Sequence, residues 1–165
     1  MSQRVESFYD SSAEYEWDRL DRHRMEYRTT LRAMNNFIPP RSRILDIGGG
    51  PGRYSIELAK ADHRVTLLDL SSQNVEMAKR KAKELGAQLE DFVHGNALDL
   101  SRFADVSFDV VLMMGPLYHL VELCDRERAL QEALRVLKPG GLLFASFITR
   151  YAIYIDLLKA APEEI

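Results

Sequence analysis

The spacing of apolar positions changes character near residue 43. Before it, Trp17, Leu20, Tyr27, Leu31 and Met34 recur at three- and four-residue intervals among Arg, Asp and Glu. That pattern predicts an amphipathic helix, broken near Asp21 and stopped by Pro39 and Pro40. Ser11-Ser12-Ala13-Glu14 reads as a capping box at its start. The mixed charges on its other face read as solvated surface.

Beyond residue 43 the apolar positions gather into short runs. Ile44–Ile47 leads into Gly48-Gly49-Gly50-Pro51-Gly52 and a helical stretch from Tyr54 to Lys60. Val65–Asp69 is a second strand, followed by a helix capped by Ser71 or Ser72, faced by Val75, Ala78, Ala82 and Leu85, and ended by Gly86. Leu89–His94 and Phe108–Met114 are the third and fourth strands, the latter apolar enough to be buried on both faces. A helix carrying Leu130, Ala133, Leu134 and Leu137 is closed by Lys138-Pro139-Gly140-Gly141, and Leu142–Ile148 is the fifth strand. Strands alternating with helices imply right-handed βαβ units. The expected fold is therefore α/β, a Rossmann-like doubly wound parallel sheet with helices on both faces.

Composition narrows this little and excludes a good deal. With 165 residues, 46% hydrophobic and 28% charged, the chain suits one folded domain and not a disordered, collagenous or disulfide-rich protein. A net charge of -3 gives no overall electrostatic case for nucleic acid or an anionic membrane as the main partner. No apolar run approaches the roughly 18 residues of a membrane span. The polar amino terminus and the lone Cys124 predict a cytoplasmic location. His23, His63, His94 and His119 are scattered, so no metal is expected.

In a doubly wound sheet a ligand sits off the carboxyl ends of the strands where their order reverses, which points to the loop Asp46–Gly52. Its glycines let the backbone approach a ligand, and the following helix presents free amides. Asp69 ends the second strand about 20 residues further on, the position from which a carboxylate accepts both hydroxyls of a ribose. As structure alone, the glycines make a tight turn and Asp69 caps a helix or faces water. Their agreement favours an adenosine-bearing ligand. The dinucleotide pattern G-x-G-x-x-G would need glycine at Arg53 or Ser55, and the P-loop ending is absent. An acid as near as Asp46 repels a pyrophosphate and suits an ammonium or a sulfonium.

These motifs resemble the class I S-adenosylmethionine-dependent methyltransferases of the bacterial small-molecule type, from Ile44 to about Ile148. Leu45–Arg53 resembles the family's first motif, which implies cofactor contacts from Asp46, Gly48, Gly49, Gly50, Gly52 and Arg53. Leu68-Asp69-Leu70-Ser71 is similar to the second, with Asp69 on the ribose and Leu70 against the adenine. Gly95-Asn96-Ala97 stands where the family usually has an acid and an alanine near the adenine amino group. Asn96 departs from that pattern, but its amide oxygen can still accept. Phe108–Met114 resembles the fourth-strand motif, whose end, at Met114, offers carbonyls to the methionine ammonium. Val136–Leu142 resembles the structural turn into the fifth strand. The resemblance implies S-adenosylmethionine as cofactor, S-adenosylhomocysteine as product, and methyl transfer to a nucleophilic N, O or C atom.

His119, in Gly115-Pro116-Leu117-Tyr118-His119 after the fourth strand, is the candidate catalytic base, against a reading in which it only packs. Tyr118 joins it as a catalytic candidate and, with Tyr9 and Tyr15, as an aromatic lid; core packing is the alternative for Tyr15 and Trp17. Arg53 meets the methionine carboxylate or is plain surface, and Arg150 and Tyr151 are further substrate-side candidates. Gly115-Pro116-Leu117-Tyr118 lacks the polar first residue of nucleobase amino-methyltransferases, and Cys124 alone cannot supply paired cysteines. A small-molecule acceptor is expected, with nucleic acid and membrane disfavoured. Rival readings are a methyltransferase-like binding module without turnover and a nicotinamide-dependent oxidoreductase. The expected segments are a helical lid over 1–40, a cofactor-binding core over 41–150, and the truncated start of a helix over 151–165. The family sheet has seven strands and five are placed here, so the chain is expected to be a fragment, or a variant whose open fifth strand a partner such as a second copy covers.

Overall fold

The computed structural model describes residues 2–149 and 151–152. The expectations for Arg150 and for a helix beyond 152 lie outside the described residues. In chain order the elements are α1 (Ser2–Asp10), α2 (Ala13–Arg22), α3 (Arg24–Phe37), β1 (Arg43–Ile47), α4 (Arg53–Lys60), β2 (Arg64–Asp69), α5 (Ser72–Glu84), β3 (Asp91–His94), β4 (Phe108–Met113), α6 (Pro116–His119), α7 (Leu123–Val136) and β5 (Leu137–Ala145). The sheet runs β3-β2-β1-β4-β5 and every pairing is parallel. This is the expected Rossmann-like doubly wound sheet. Its order reverses between β1 and β4, so the carboxyl ends of those two strands open onto the crevice.

Alternation along the central strands sorts their side chains onto two helical layers. Leu45, Ile47, Val111 and Met113 pack with Ala129, Ala133 and Val136 of α7. Ile44, Val110 and Leu112 pack with Leu58 of α4 and with Leu20 and Met34 of α2 and α3. Asp46 takes the second face, since it lies two residues from Ile44. That register aims a carboxylate at α4, where a third apolar residue would continue the core.

Several expectations need correction. The Ser11/Ser12 pattern is not a capping box. Both hydroxyls donate back to the Phe8 carbonyl at 2.8 Å, and no side chain caps α2. They close a helix the periodicity missed, α1, whose apolar positions Val5, Phe8 and Tyr9 are too few to show a stripe. The break in the following helix falls at His23, where φ is -110° and ψ is 50°. Lys138–Gly141 does not end α7 but lies inside β5: Phe108 pairs with Leu137 and Val110 with Leu142, so the intervening residues bulge out, helped by Gly140 at φ +77°. The strand correspondingly ends at Ala145, and Phe147 and Ile148 are exposed beyond it. Leu85 and Leu134, expected on buried faces, are also exposed.

Candidate functional site

The crevice at the switch point widens into a cavity of about 590 Å³. Its floor is the β1 loop. Gly48 and Gly50 adopt left-handed φ of +70° and +56°. A Cβ on Gly48 would stand 2.7 Å from Pro116 Cγ, whereas one on Gly50 would meet nothing within 4 Å. One glycine therefore permits close packing of the α6 turn, and the other leaves backbone open to a ligand. Gly49 and Pro51 line the floor between and beside them. Gly52, expected to touch the cofactor, does not line the cavity. It caps α4 at φ +88° and faces Ala78 and Leu67, so its smallness serves helix packing.

Two buried carboxylates stand at this floor. Asp46 accepts the Ser55 hydroxyl at 2.7 Å. Burial pushes its ionisation up to about 6, the charge of Asp69 adds to the rise, and the Ser55 hydrogen bond opposes it. Asp69 accepts from the Gly50 amide at 2.7 Å, the Ser71 amide at 2.9 Å and the Asn74 side chain at 3.2 Å. Burial raises its ionisation too, against those three hydrogen bonds. Ser71 caps α5 by accepting from the Asn74 amide at 3.1 Å. Sequence reasoning missed Asn74: it is 1% exposed, lines the cavity, and its Oδ1 is buried without a protein partner. Its only signal in the sequence is the offset of three from the Ser71 cap. An orphan acceptor beside a carboxylate calls for a ligand hydroxyl or amine.

The adenine-side expectations converge on one wall. Leu70, Asn96 and Ala97 line the cavity. Asn96 Oδ1 accepts from its own Leu98 amide at 3.0 Å, which orients the side chain and leaves the oxygen a second lone pair. Met114 also lines the cavity, but its carbonyl already accepts from the Ser146 hydroxyl. Arg53 lines the cavity and is not plain surface, and its guanidinium is already engaged by a carboxylate of the chain. Its guanidinium grips Asp21 at 2.8 and 3.0 Å and lies over the rings of Trp17 and Tyr27, tying α2 and α3 to the floor.

The remaining wall comes from α6 and the amino-terminal helices. Tyr118 and His119 line the cavity with ring centroids 4.7 Å apart. Tyr9 of α1 joins them: its hydroxyl is 2.7 Å from His119 Nε2. Burial lowers the ionisation of His119, opposed by the charge of Asp69, and raises those of Tyr9 and Tyr118. Helix α1 is fixed over the cavity by Asp10, which accepts from the Ser71 hydroxyl at 2.6 Å and the Gln73 amide at 3.2 Å. Glu16 and Arg19 of α2, missed in the sequence, line the mouth as an ion pair at 3.4 Å. Tyr15 serves neither as lid nor as core: it is exposed under the Arg22 guanidinium. Tyr151 is exposed and does not line the cavity. Among the described residues no group of three or more His, Cys, Asp or Glu could hold a metal ion.

The site therefore offers open glycine backbone, two buried carboxylates able to accept from ammonium or hydroxyl groups, and a wall of aromatic rings. These residue types fit the donor that the motifs imply. Comparison with known proteins agrees. The profile of the family described as Methyltransferase domain matches residues 44–141. The chain is 32% identical over 130 residues to tRNA 5-carboxymethoxyuridine methyltransferase of Escherichia coli, covering 78% of this chain and 49% of that protein. It is 35% identical over 125 residues to demethylmenaquinone methyltransferase of Bacillus cytotoxicus, covering 74% and 50%. The chain thus spans about half the length of these curated relatives. A solved S-adenosylmethionine-dependent methyltransferase from Methanosarcina mazei superposes with a TM-score of 0.67 at 32% identity, covering 80% of this chain and 68% of that one.

Proposed function

We propose that this chain, which belongs to the class I S-adenosylmethionine-dependent methyltransferase family, transfers a methyl group to a nucleophilic N, O or C atom of a small molecule. The donor, when bound, supplies a methyl on a cationic sulfur that leaves as a neutral thioether. The protein's residues bind, orient and exclude water. Asp69, with Asn74, takes the ribose hydroxyls; Asp46 faces the ammonium; Leu70, Asn96 and Ala97 take the adenine. His119 and Tyr118 stand on the acceptor side, where holding two reactants in contact can contribute roughly 7 to 11 kcal/mol in favourable cases.

The observation that supports a small acceptor is the shape and charge of the mouth. α1 and α2 reach over it, and among the described residues its cations are few: Arg53 is paired with Asp21 and Arg19 with Glu16. A nucleic-acid backbone asks for an open basic track. The name of the Escherichia coli relative favours a second reading, a tRNA nucleoside. Tritium transfer from labelled donor, with deproteinised small-molecule extract and total tRNA offered separately, decides between them. Label in the extract fraction supports the proposal, and label in tRNA alone overturns it. Donor binding without transfer to either favours the binding-module reading. No described helix is long and apolar enough to cross a membrane, and we keep a cytoplasmic location in the proposal. A second copy against the half-buried β5 edge belongs to it as well; sedimentation as a monomer refutes that part.

A further inference from the structure

We infer that the acceptor is deprotonated by a Tyr9–His119 dyad and not by His119 alone, with the Tyr9 phenol oxygen taking the proton and His119 Nε2 receiving the phenol's own. This rests on the methyl-transfer reading above.

Three observations carry it. The Tyr9 hydroxyl lies 2.7 Å from His119 Nε2, with the rings edge to face at a centroid distance of 5.4 Å and an interplanar angle of 85°. Nε2 is thus already engaged, so a histidine acting alone through that nitrogen would have to break this hydrogen bond before accepting a substrate proton. Both groups line the cavity, Tyr9 from α1 and His119 from the turn after β4, so the phenol as well as the imidazole borders the space an acceptor would fill. Finally, burial favours the neutral form of each partner. A neutral phenol beside a neutral imidazole is set to donate to Nε2, which requires His119 to carry its own proton on Nδ1.

The proton bookkeeping is closed within the pair. The acceptor loses its proton to Tyr9 Oη while the phenol proton passes to His119 Nε2. The dyad ends as neutral phenol and imidazolium, and the acceptor keeps the electron pair for its new bond. Tyrosinate is never formed, consistent with the surroundings of Tyr9: burial, Glu16 of α2, Tyr118 of α6 and Asp69 of β2 all disfavour it, and Arg19 opposes them. Asp69 also faces His119 and favours the imidazolium that results. The inference narrows the acceptor to a group that still holds its proton near neutral pH: an alcohol, a phenol or an ammonium. An ionised carboxylate needs no such dyad. The pairing spans 110 positions of sequence, so it exists only while α1 is docked.

The test is histidine-labelled nitrogen NMR of the full chain saturated with S-adenosylhomocysteine, with calorimetry of the same ligand. The expected result is His119 in the Nδ1–H tautomer with Nε2 unprotonated. In Tyr9→Phe the expected result is an upward shift of His119 ionisation, because the neutral form has lost its donor. The Nε2–H tautomer, with Tyr9 accepting, overturns the dyad, as does a downward shift in Tyr9→Phe. The tautomer is read on the unaltered chain, so it stands even where the variant does not fold. Failure of S-adenosylhomocysteine to bind at all overturns the methyl-transfer reading itself, and the dyad with it.

Discussion

Replacing Asp46 by Asn perturbs the cavity floor at one charge. The side chain is 1% exposed and its ionisation is raised from the ordinary 3.8 to about 6, mainly by burial. A displacement of about two units corresponds to about 3 kcal/mol. Between about pH 4 and pH 6 the folded chain holds a proton that the unfolded chain has released, so this group makes stability fall as pH rises through that window. Above it the full cost is present, and below it both states are protonated and the cost vanishes. Asp46→Asn keeps an acceptor for the Ser55 hydroxyl and carries no charge. Urea unfolding at about pH 7.5 is therefore expected to show the variant more stable by about 1 to 3 kcal/mol, and at about pH 4 to show the two proteins alike. Binding should move the other way. A carboxylate facing an ammonium must be ionised, so parental affinity for S-adenosylhomocysteine falls by up to about tenfold per unit of pH below about 6. The variant should bind more weakly near neutrality and lack that part of the slope; ionisation of the histidines is common to both proteins and cancels. Equal pH slopes in calorimetry, or a stabilisation as large at pH 4 as at pH 7.5, would refute the reasoning.

Further expectations concern the residues around that floor. Gly48→Ala must hold a side chain at φ +70° and push against Pro116 at 2.7 Å; a loss of about 1 to 3 kcal/mol in urea unfolding is expected, and an unchanged midpoint contradicts the close approach. Asn74→Ala removes a donor from Asp69 and the orphan acceptor beside it, so affinity for S-adenosylhomocysteine should fall by about fivefold or more; parental affinity in calorimetry counts against a ligand contact. Arg53→Gln releases Asp21, whose side chain is 57% exposed, so global stability should drop by only about 0.5 to 1 kcal/mol. Limited proteolysis between residues 5 and 37 should nonetheless accelerate, and an unchanged cleavage rate would deny Arg53 its anchoring role.

The sheet was legible because strands buried on both faces are written as near-continuous apolar runs, and Asp46, one residue before the end of β1, and Asp69, at the end of β2, bring in chemistry that a core cannot otherwise use. Helix α1 was not legible. Its apolar residues are few, and it binds the protein through Tyr9 and Asp10, by hydrogen bonds to partners more than 60 positions away. The serines after it carry a helix-start pattern but act as helix-end donors, because a hydroxyl serves either role and local spacing does not choose between them. At the site, the glycine pattern did not separate Gly50, open to a ligand, from Gly52, pressed on Ala78. Arg53 carried a charge that suits a carboxylate, yet the amino-terminal helices supply Asp21 first. The misses at the site came from partners fixed by tertiary packing and not by neighbours in sequence.

Titration calorimetry of the chain with S-adenosylhomocysteine, repeated in excess NADH, tests the central claim most directly. The account predicts saturable one-to-one binding that NADH does not displace. Absence of binding, or displacement by NADH, would contradict it.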